Sequence, residues 1–213
     1  MEHTLILKFK VSGNLKYLSH HQSMAMFIRA LIRSGTGLCY SEGFNPRPKL
    51  SLPLPRGVGI ESDDELLYAS VKIEETAEVK ERISNELPEG VEIESLRFVS
   101  GKTRVQPVAA VYELKMVKQP DELISNINRL QEALAAKEEI VVNRRYGQSG
   151  KTVEKEIGCY IDSIEYASKA VQVKCRISPA GSVRLDEILR LIGMDTSECS
   201  VSVKRKSTEW VYN

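Results

Sequence analysis

The chain has 213 residues, 42% of them apolar and 28% charged, with a net charge of +1. That is enough apolar material for one large domain or two of about 100 residues each. No run reaches the roughly 18 apolar residues a membrane span needs, and Met1-Glu2-His3-Thr4 lacks the marks of a secretory signal, so the expectation is a cytoplasmic protein with no membrane partner.

In chain order, Leu5, Leu7, Phe9 and Val11 alternate with Ile6, Lys8 and Lys10, which predicts a strand. Ser19 opens a helix whose Met24, Phe27, Ile28, Leu31 and Ile32 fall on one apolar face, and Gly35 and Gly37 end it. A Gly- and Pro-rich loop over 43–59 follows, with a short strand at Leu50-Ser51-Leu52. Leu66–Ile73 reads as a strand. Val79, Ile83 and Leu87 mark a helix stopped by Pro88 and Gly90, and Val91–Val99 reads as the next strand. The order β-α-β-β-α-β is that of a ferredoxin-like split βαβ unit.

The second half repeats this order: a strand at Val111–Val117, then a helix begun by Pro120 with Leu123, Ile127, Leu130 and Leu134 inward. A strand at Ile140–Asn143, a turn over Arg144–Lys151 and strands at Ile157–Ile164 and Val171–Ile177 come next. A helix with Leu185, Ile188, Leu189 and Ile192 ends at Gly193, and Val201 and Val203 lie in a closing strand. The expected fold is α+β, two ferredoxin-like halves with mostly antiparallel sheets. The first covers 1–102 and carries the Gly/Pro-rich loop; the second covers 103–213. One larger mixed sheet is the alternative.

The cysteines Cys39, Cys159, Cys175 and Cys199 form no C-x-x-C pair and fit no zinc or iron–sulfur spacing. They read as reduced, mostly buried thiols, and no metal or other cofactor is expected. Charge is unevenly spread. Residues 1–60 hold eight Lys/Arg against Glu2 and Glu42, a surplus of +6, whereas residues 61–100 carry −8. A basic N-terminal face is the expectation, with scattered charge as the alternative.

Four segments bear residues that could do chemistry or bind. In Ser19-His20-His21-Gln22, Ser19 and Gln22 have the spacing of a capping box, while His20 is a candidate general base. Four of the eight prolines lie at 46, 48, 53 and 55. They stiffen a loop carrying Phe44, Arg47, Lys49 and Arg56, which offers a stacking ring and phosphate-binding charges; the alternative buries Phe44 in the core. Lys8 and Lys10 share one side of a strand, and Arg29 and Arg33 one helical stripe, with Lys16 and Tyr17 between. In the tip 143–152, Gly150-Lys151-Thr152 resembles the end of a phosphate loop. A true phosphate loop needs glycine where Arg145 stands, and it precedes a helix rather than a strand. What remains is a basic hairpin tip with Arg144, Arg145 and Lys151.

Several of these runs carry a family resemblance: Lys8-Phe9-Lys10, Tyr17-Leu18-Ser19-His20, Tyr40-Ser41-x-Gly43-Phe44-Asn45-Pro46-x-Pro48-Lys49 and Pro53-Leu54-Pro55-x-Gly57-Val58. The chain resembles the uncharacterised radical-SAM-linked protein family, whose members occur beside, or fused to, a radical S-adenosylmethionine protein. Gly181-Ser182-Val183-Arg184 and Val203-Lys204-Arg205 extend the likeness more weakly. After Ser-His the family pattern reads Leu-Asp-Leu-Met-Arg, whereas His21-Gln22-Ser23-Met24-Ala25 stand here, so its Asp and Arg are gone. The resemblance implies a radical S-adenosylmethionine partner and no particular reaction. The double ferredoxin-like layout is also similar to that of the CRISPR repeat-processing RNA endonucleases, an analogy of fold alone.

The expected function is therefore an accessory protein that binds a substrate, RNA first, for a separate radical enzyme, without catalysis of its own. The expected contacts are Lys8, Lys10, Lys16, Tyr17, Arg29, Arg33, Phe44, Arg47, Lys49, Arg56, Arg144, Arg145 and Lys151. The rivals are a metal-independent endoribonuclease using His20 and a protein-binding subunit that meets no nucleic acid.

Overall fold

The structure, a computed structural model, describes residues 2–72, 77–116, 122–146, 151–194 and 201–213. The chain is an α+β protein with four α-helices among the described residues. It divides into two compact units. The first is Met1–Pro107 with Trp210–Asn213, the second Val108–Glu209. The division falls at 107/108, and the last four residues return to the first unit.

The first unit runs β1 (His3–Val11), α1 (His20–Arg33), β2 (Leu50–Ser51), β3 (Ile60–Val71), α2 (Ala77–Asn85) and β4 (Val91–Ser100). In space β2 pairs with β3, β3 with β1 and β1 with β4, all antiparallel. Period-two alternation sends Leu5, Leu7, Phe9 and Val11 to one face. There they pack against Phe27 and Leu31 of α1 and Val79 and Ile83 of α2. The rings of Phe9 and Phe27 lie 4.6 Å apart and tilted by 58°, a favourable aromatic geometry. On the opposite face Ile6, Leu66 and Val105 are buried against Tyr68, Val99 and Trp210. Ile32, expected inward, is 51% exposed.

Strand β3 begins six residues before the expected Leu66, so the acidic run Glu61-Ser62-Asp63-Asp64-Glu65 is sheet, not loop. Ser62 and Glu65 occupy buried positions opposite Val11 and Phe9. The capping box at the start of α1 is as predicted: the Gln22 N–H donates to Ser19 Oγ at 3.3 Å, and the Ser19 N–H to Gln22 Oε1 at 2.9 Å.

The second unit runs β5 (Val105–Met116, which starts in the first unit), α3 (Leu123–Ala136), β6 (Val141–Tyr146), β7 (Lys151–Glu156), β8 (Ile161–Ala167), β9 (Ala170–Ser178), β10 (Gly181–Ser182), α4 (Leu185–Leu191) and β11 (Val201–Tyr212). Here β8 pairs with β9 and β9 with β5, both antiparallel, and β5 neighbours β11. Strands β6 and β7 form a separate antiparallel hairpin. The described ends of the expected turn over Arg144–Lys151 are strand: Arg144 and Arg145 belong to β6 and Lys151 opens β7. The core joins Leu123, Ile127 and Leu130 of α3, Ile188 and Leu189 of α4, and Leu114, Ile164, Val171 and Val173 of the sheet. The expected helix start at Pro120, the strand end at Ile73, the tip 147–150 and Cys199 lie outside the described residues.

Candidate functional site

Strand β1 lies between β3 and β4, so its lysines stand beside two acid-rich strands. Lys8 Nζ is 3.4 Å from Asp64 Oδ1, and Lys10 Nζ is 3.5 Å from Glu94 Oε1 and 3.9 Å from Glu92 Oε1. Lys16 Nζ is 3.6 Å from Glu61 and 5.5 Å from the centre of the Tyr17 ring. Arg33 pairs through Nε with the Glu86 carboxylate and donates from Nη2 to the Glu86 carbonyl at 3.0 Å. Lys49 Nζ is 3.2 Å from Glu2 Oε1, and this hydrogen bond is the largest of the effects that hold the Glu2 carboxyl below its ordinary range. The +6 and −8 segments of the sequence neutralise one another within one unit. Pairs within reach of solvent are weak and can yield to a competing anion, but these half-buried and exposed pairs do not form a face of unopposed positive charge. Of the N-terminal candidate lysines and arginines only Arg29 and Arg47 are exposed and make no ion pair among the described residues.

The proline-rich segment forms two differently built loops. In the first, a small ladder continues from β3: the Cys39 N–H donates to the Ser70 carbonyl at 2.8 Å, Lys49 to Cys39 at 2.8 Å, and Ser70 to Lys49 at 2.9 Å. One step further out, the Ser41 N–H donates to the Arg47 carbonyl at 2.8 Å, and the Arg47 N–H to Ser41 Oγ at 2.9 Å. The apex 42–46 projects from this closed neck. Gly43 turns it with φ of +118°, a conformation that side-chain-bearing residues rarely adopt. Phe44 follows, 106% exposed. It does not pack in the core.

The second loop is held down by Arg56. Its guanidinium donates to the carbonyls of Leu15 at 3.0 Å, Lys16 at 2.9 Å and Ile60 at 2.6 Å. The Gly59 N–H adds a bond to the Lys16 carbonyl at 2.8 Å. Arg56 therefore ties the loop to the 3-10 turn Gly13–Tyr17, with three bonds to the chain's own backbone.

His20 is the first residue of α1 and is half-buried. It lines a mainly apolar cavity with Phe9, Phe27, Leu52, Arg56 and Glu65. The cavity measures about 20 Å³, close to the space of one water molecule. Among the described residues no group of three or more His, Cys, Asp or Glu side chains has the arrangement of a metal site.

In the second unit Arg144 is a buried residue rather than a surface cation. Its Nε and Nη2 donate to Glu187 Oε1 and Oε2 at 2.7 and 2.9 Å, and Nη2 also donates to the Ser182 carbonyl at 2.7 Å. Glu187 Oε2 also accepts from the Arg184 N–H at 2.8 Å. Burial alone would raise the Glu187 carboxyl. The hydrogen bonds from Arg144 and Arg184 and the charges of both arginines outweigh it and hold the group below its ordinary 4.5. Arg145 is exposed. Sequence reasoning missed Glu187, Arg184 and Arg190, which meet the hairpin from α4; their signal was only a charged helix start some 40 residues away.

No helix is long and apolar enough to cross a membrane among the described residues. No curated protein matches the chain. A crystal structure of an unknown protein from Galdieria sulphuraria aligns over 96% of this chain and 99% of its own at 11% identity, with a TM-score of 0.29, too low to bear on the fold. Residues 4–191 match a family model described as uncharacterized protein conserved in bacteria (DUF2344), and the chain belongs to that family.

Proposed function

We propose that this chain is an accessory binding module that holds an RNA strand for a separate radical S-adenosylmethionine enzyme, and that each of its units is a ferredoxin-like fold. The strand order β4-β1-β3-β2 in the first unit and β11-β5-β9-β8 in the second, with a helix after the first and third strand of each, supports the fold reading. The radical enzyme enters through the sequence resemblance. The observation that carries the binding reading is Phe44: a fully exposed ring on a backbone-braced, proline-stiffened apex, near Arg47, which is exposed and makes no ion pair among the described residues. A large ring held in water by a rigid loop contributes nothing to the core. It is the arrangement that stacks on an unpaired base at little ordering cost.

Fluorescence anisotropy with single-stranded RNA and tRNA at 50–200 mM salt tests this. Phe44→Ala should weaken binding by about 1–3 kcal/mol without changing the salt slope. Arg47→Ala should flatten the slope by about 0.7. The mutual neutralisation of Lys8, Lys10, Lys16, Arg33 and Lys49 with neighbouring carboxylates favours a second reading, in which the same apex meets a protein surface. If no RNA binds at 50 mM salt and a native pull-down instead captures a radical S-adenosylmethionine protein in a Phe44-dependent way, the second reading replaces the first.

A further inference from the structure

Within the second unit, the β6–β7 hairpin and α4 enclose an open groove of about 680 Å³. Arg144, Arg145, Arg184 and Arg190 line it, together with Asp186 and Glu187. Both carboxylates are engaged. Glu187 takes the two bonds from Arg144, and Asp186 takes one from Arg190, 2.7 Å away and four residues along α4. Arg145 and Arg184 are exposed and reach no carboxylate within 4 Å among the described residues. Among the described residues the lining therefore carries two positive charges in excess. Asn143 and Thr152, polar and uncharged, also line it, with Thr152 directly across the hairpin from Arg145.

Two guanidinium groups facing one groove repel each other, and Arg184 is offset only by its attraction to Glu187, whose carboxylate Arg144 already occupies. The buried Arg144–Glu187 pair ties the hairpin to α4 across the floor of the groove, beside the packing of Val142 on the core. We propose that this groove binds phosphate groups of the ligand, with Arg145 and Arg184 as the contact residues and Arg144 as the positioning residue. The planar guanidinium fork fits two phosphate oxygens at once. The volume is that of a site for a nucleotide or a short stretch of backbone, larger than one free phosphate ion needs. This rests on the RNA reading above for the source of the phosphate, but not for the chemistry of the groove.

The test uses the full chain and its Arg145→Ala/Arg184→Ala variant, with a labelled single-stranded 12-residue RNA from 50 to 200 mM KCl, and inorganic pyrophosphate by calorimetry. The expected result is an affinity for RNA at least about tenfold lower in the variant. Its salt slope should be flatter by about 1.4, at roughly 0.7 per lost phosphate contact, with an unchanged melting temperature. Arg145→Lys/Arg184→Lys should restore the slope but only part of the affinity, because lysine keeps the charge and loses the fork. If the alanine variant binds RNA with the wild-type affinity and slope, the groove is overturned while the RNA reading stands. If the wild type ignores RNA but binds pyrophosphate through Arg145 and Arg184, the phosphate site stands and the RNA reading fails. If neither ligand binds at 50 mM salt, both are overturned.

Discussion

Replacing Glu187 with leucine should be among the most damaging single changes in the second unit. It leaves the Arg144 guanidinium charged, buried and without its two-bond partner, in a place where both side chains are less than a tenth exposed. Breaking a buried pair from one side costs about 3–5 kcal/mol. At a urea m-value of roughly 2 kcal/mol/M, the unfolding midpoint should fall by about 1.5–2.5 M. The double change Arg144→Leu/Glu187→Leu removes both charges and should lie within about 1 kcal/mol of the wild type, or above it. The pH dependence has a definite sign. The Glu187 carboxyl titrates lower in the folded chain than its ordinary 4.5. Its stabilisation is therefore complete above about pH 4.5 and is lost as the pH falls through the folded value. That acid-linked loss should be missing from the double variant. A Glu187→Leu cost below 1 kcal/mol, or a double variant as unstable as the single one, would refute the account of the pair as a tether.

Three further outcomes follow from the geometry. Arg56→Ala should lose about 2 kcal/mol or more, since its guanidinium caps three carbonyls; amide exchange at Gly59 should accelerate with it, and unchanged exchange would mean the loop is held otherwise. Ser19→Ala should cost about 1 kcal/mol in urea unfolding through loss of the α1 cap. Cys159 is exposed, yet partial burial and then its hydrogen bond to the Glu156 carboxylate raise its thiol above the ordinary 9.0. It should therefore react slowly with iodoacetamide at pH 8 and faster after Glu156→Gln, as mass spectrometry of the alkylated peptide would show.

The elements built on apolar alternation were legible in the sequence. Leu5 to Val11 and the Phe27–Leu31 stripe reach the core where the pattern puts them. Strand β3 was half missed because Ser62 and Glu65 fill its inward positions at the N-terminal end, and a periodicity scan sees only loop there. The charge asymmetry was visible, but its meaning depended on pairing order. A basic strand read alone is a face; the same strand between two acidic ones is a set of ion pairs. The apex carrying Phe44 was legible as a stiff loop, whereas its exposure was not, since proline spacing does not say which way a ring points. Arg144 was misplaced for a related reason. Its partner is 43 residues away, and a run of polar residues gives no sign of which one turns inward.

Strand β11 gives the first unit a late completion. Trp210 packs on the face formed by Ile6, Leu66 and Val99, its Nε1 donates to Asp64 Oδ1 at 3.4 Å, Tyr212 lies under Arg97, and Asn213 exchanges two backbone hydrogen bonds with Arg104. A ribosome that has finished Pro107 must still add the whole second unit before these residues exist, which at ordinary elongation rates takes roughly 5–20 s. Through that interval the nascent first unit shows water a bare patch where an indole belongs. A fragment ending at residue 107 shows it permanently.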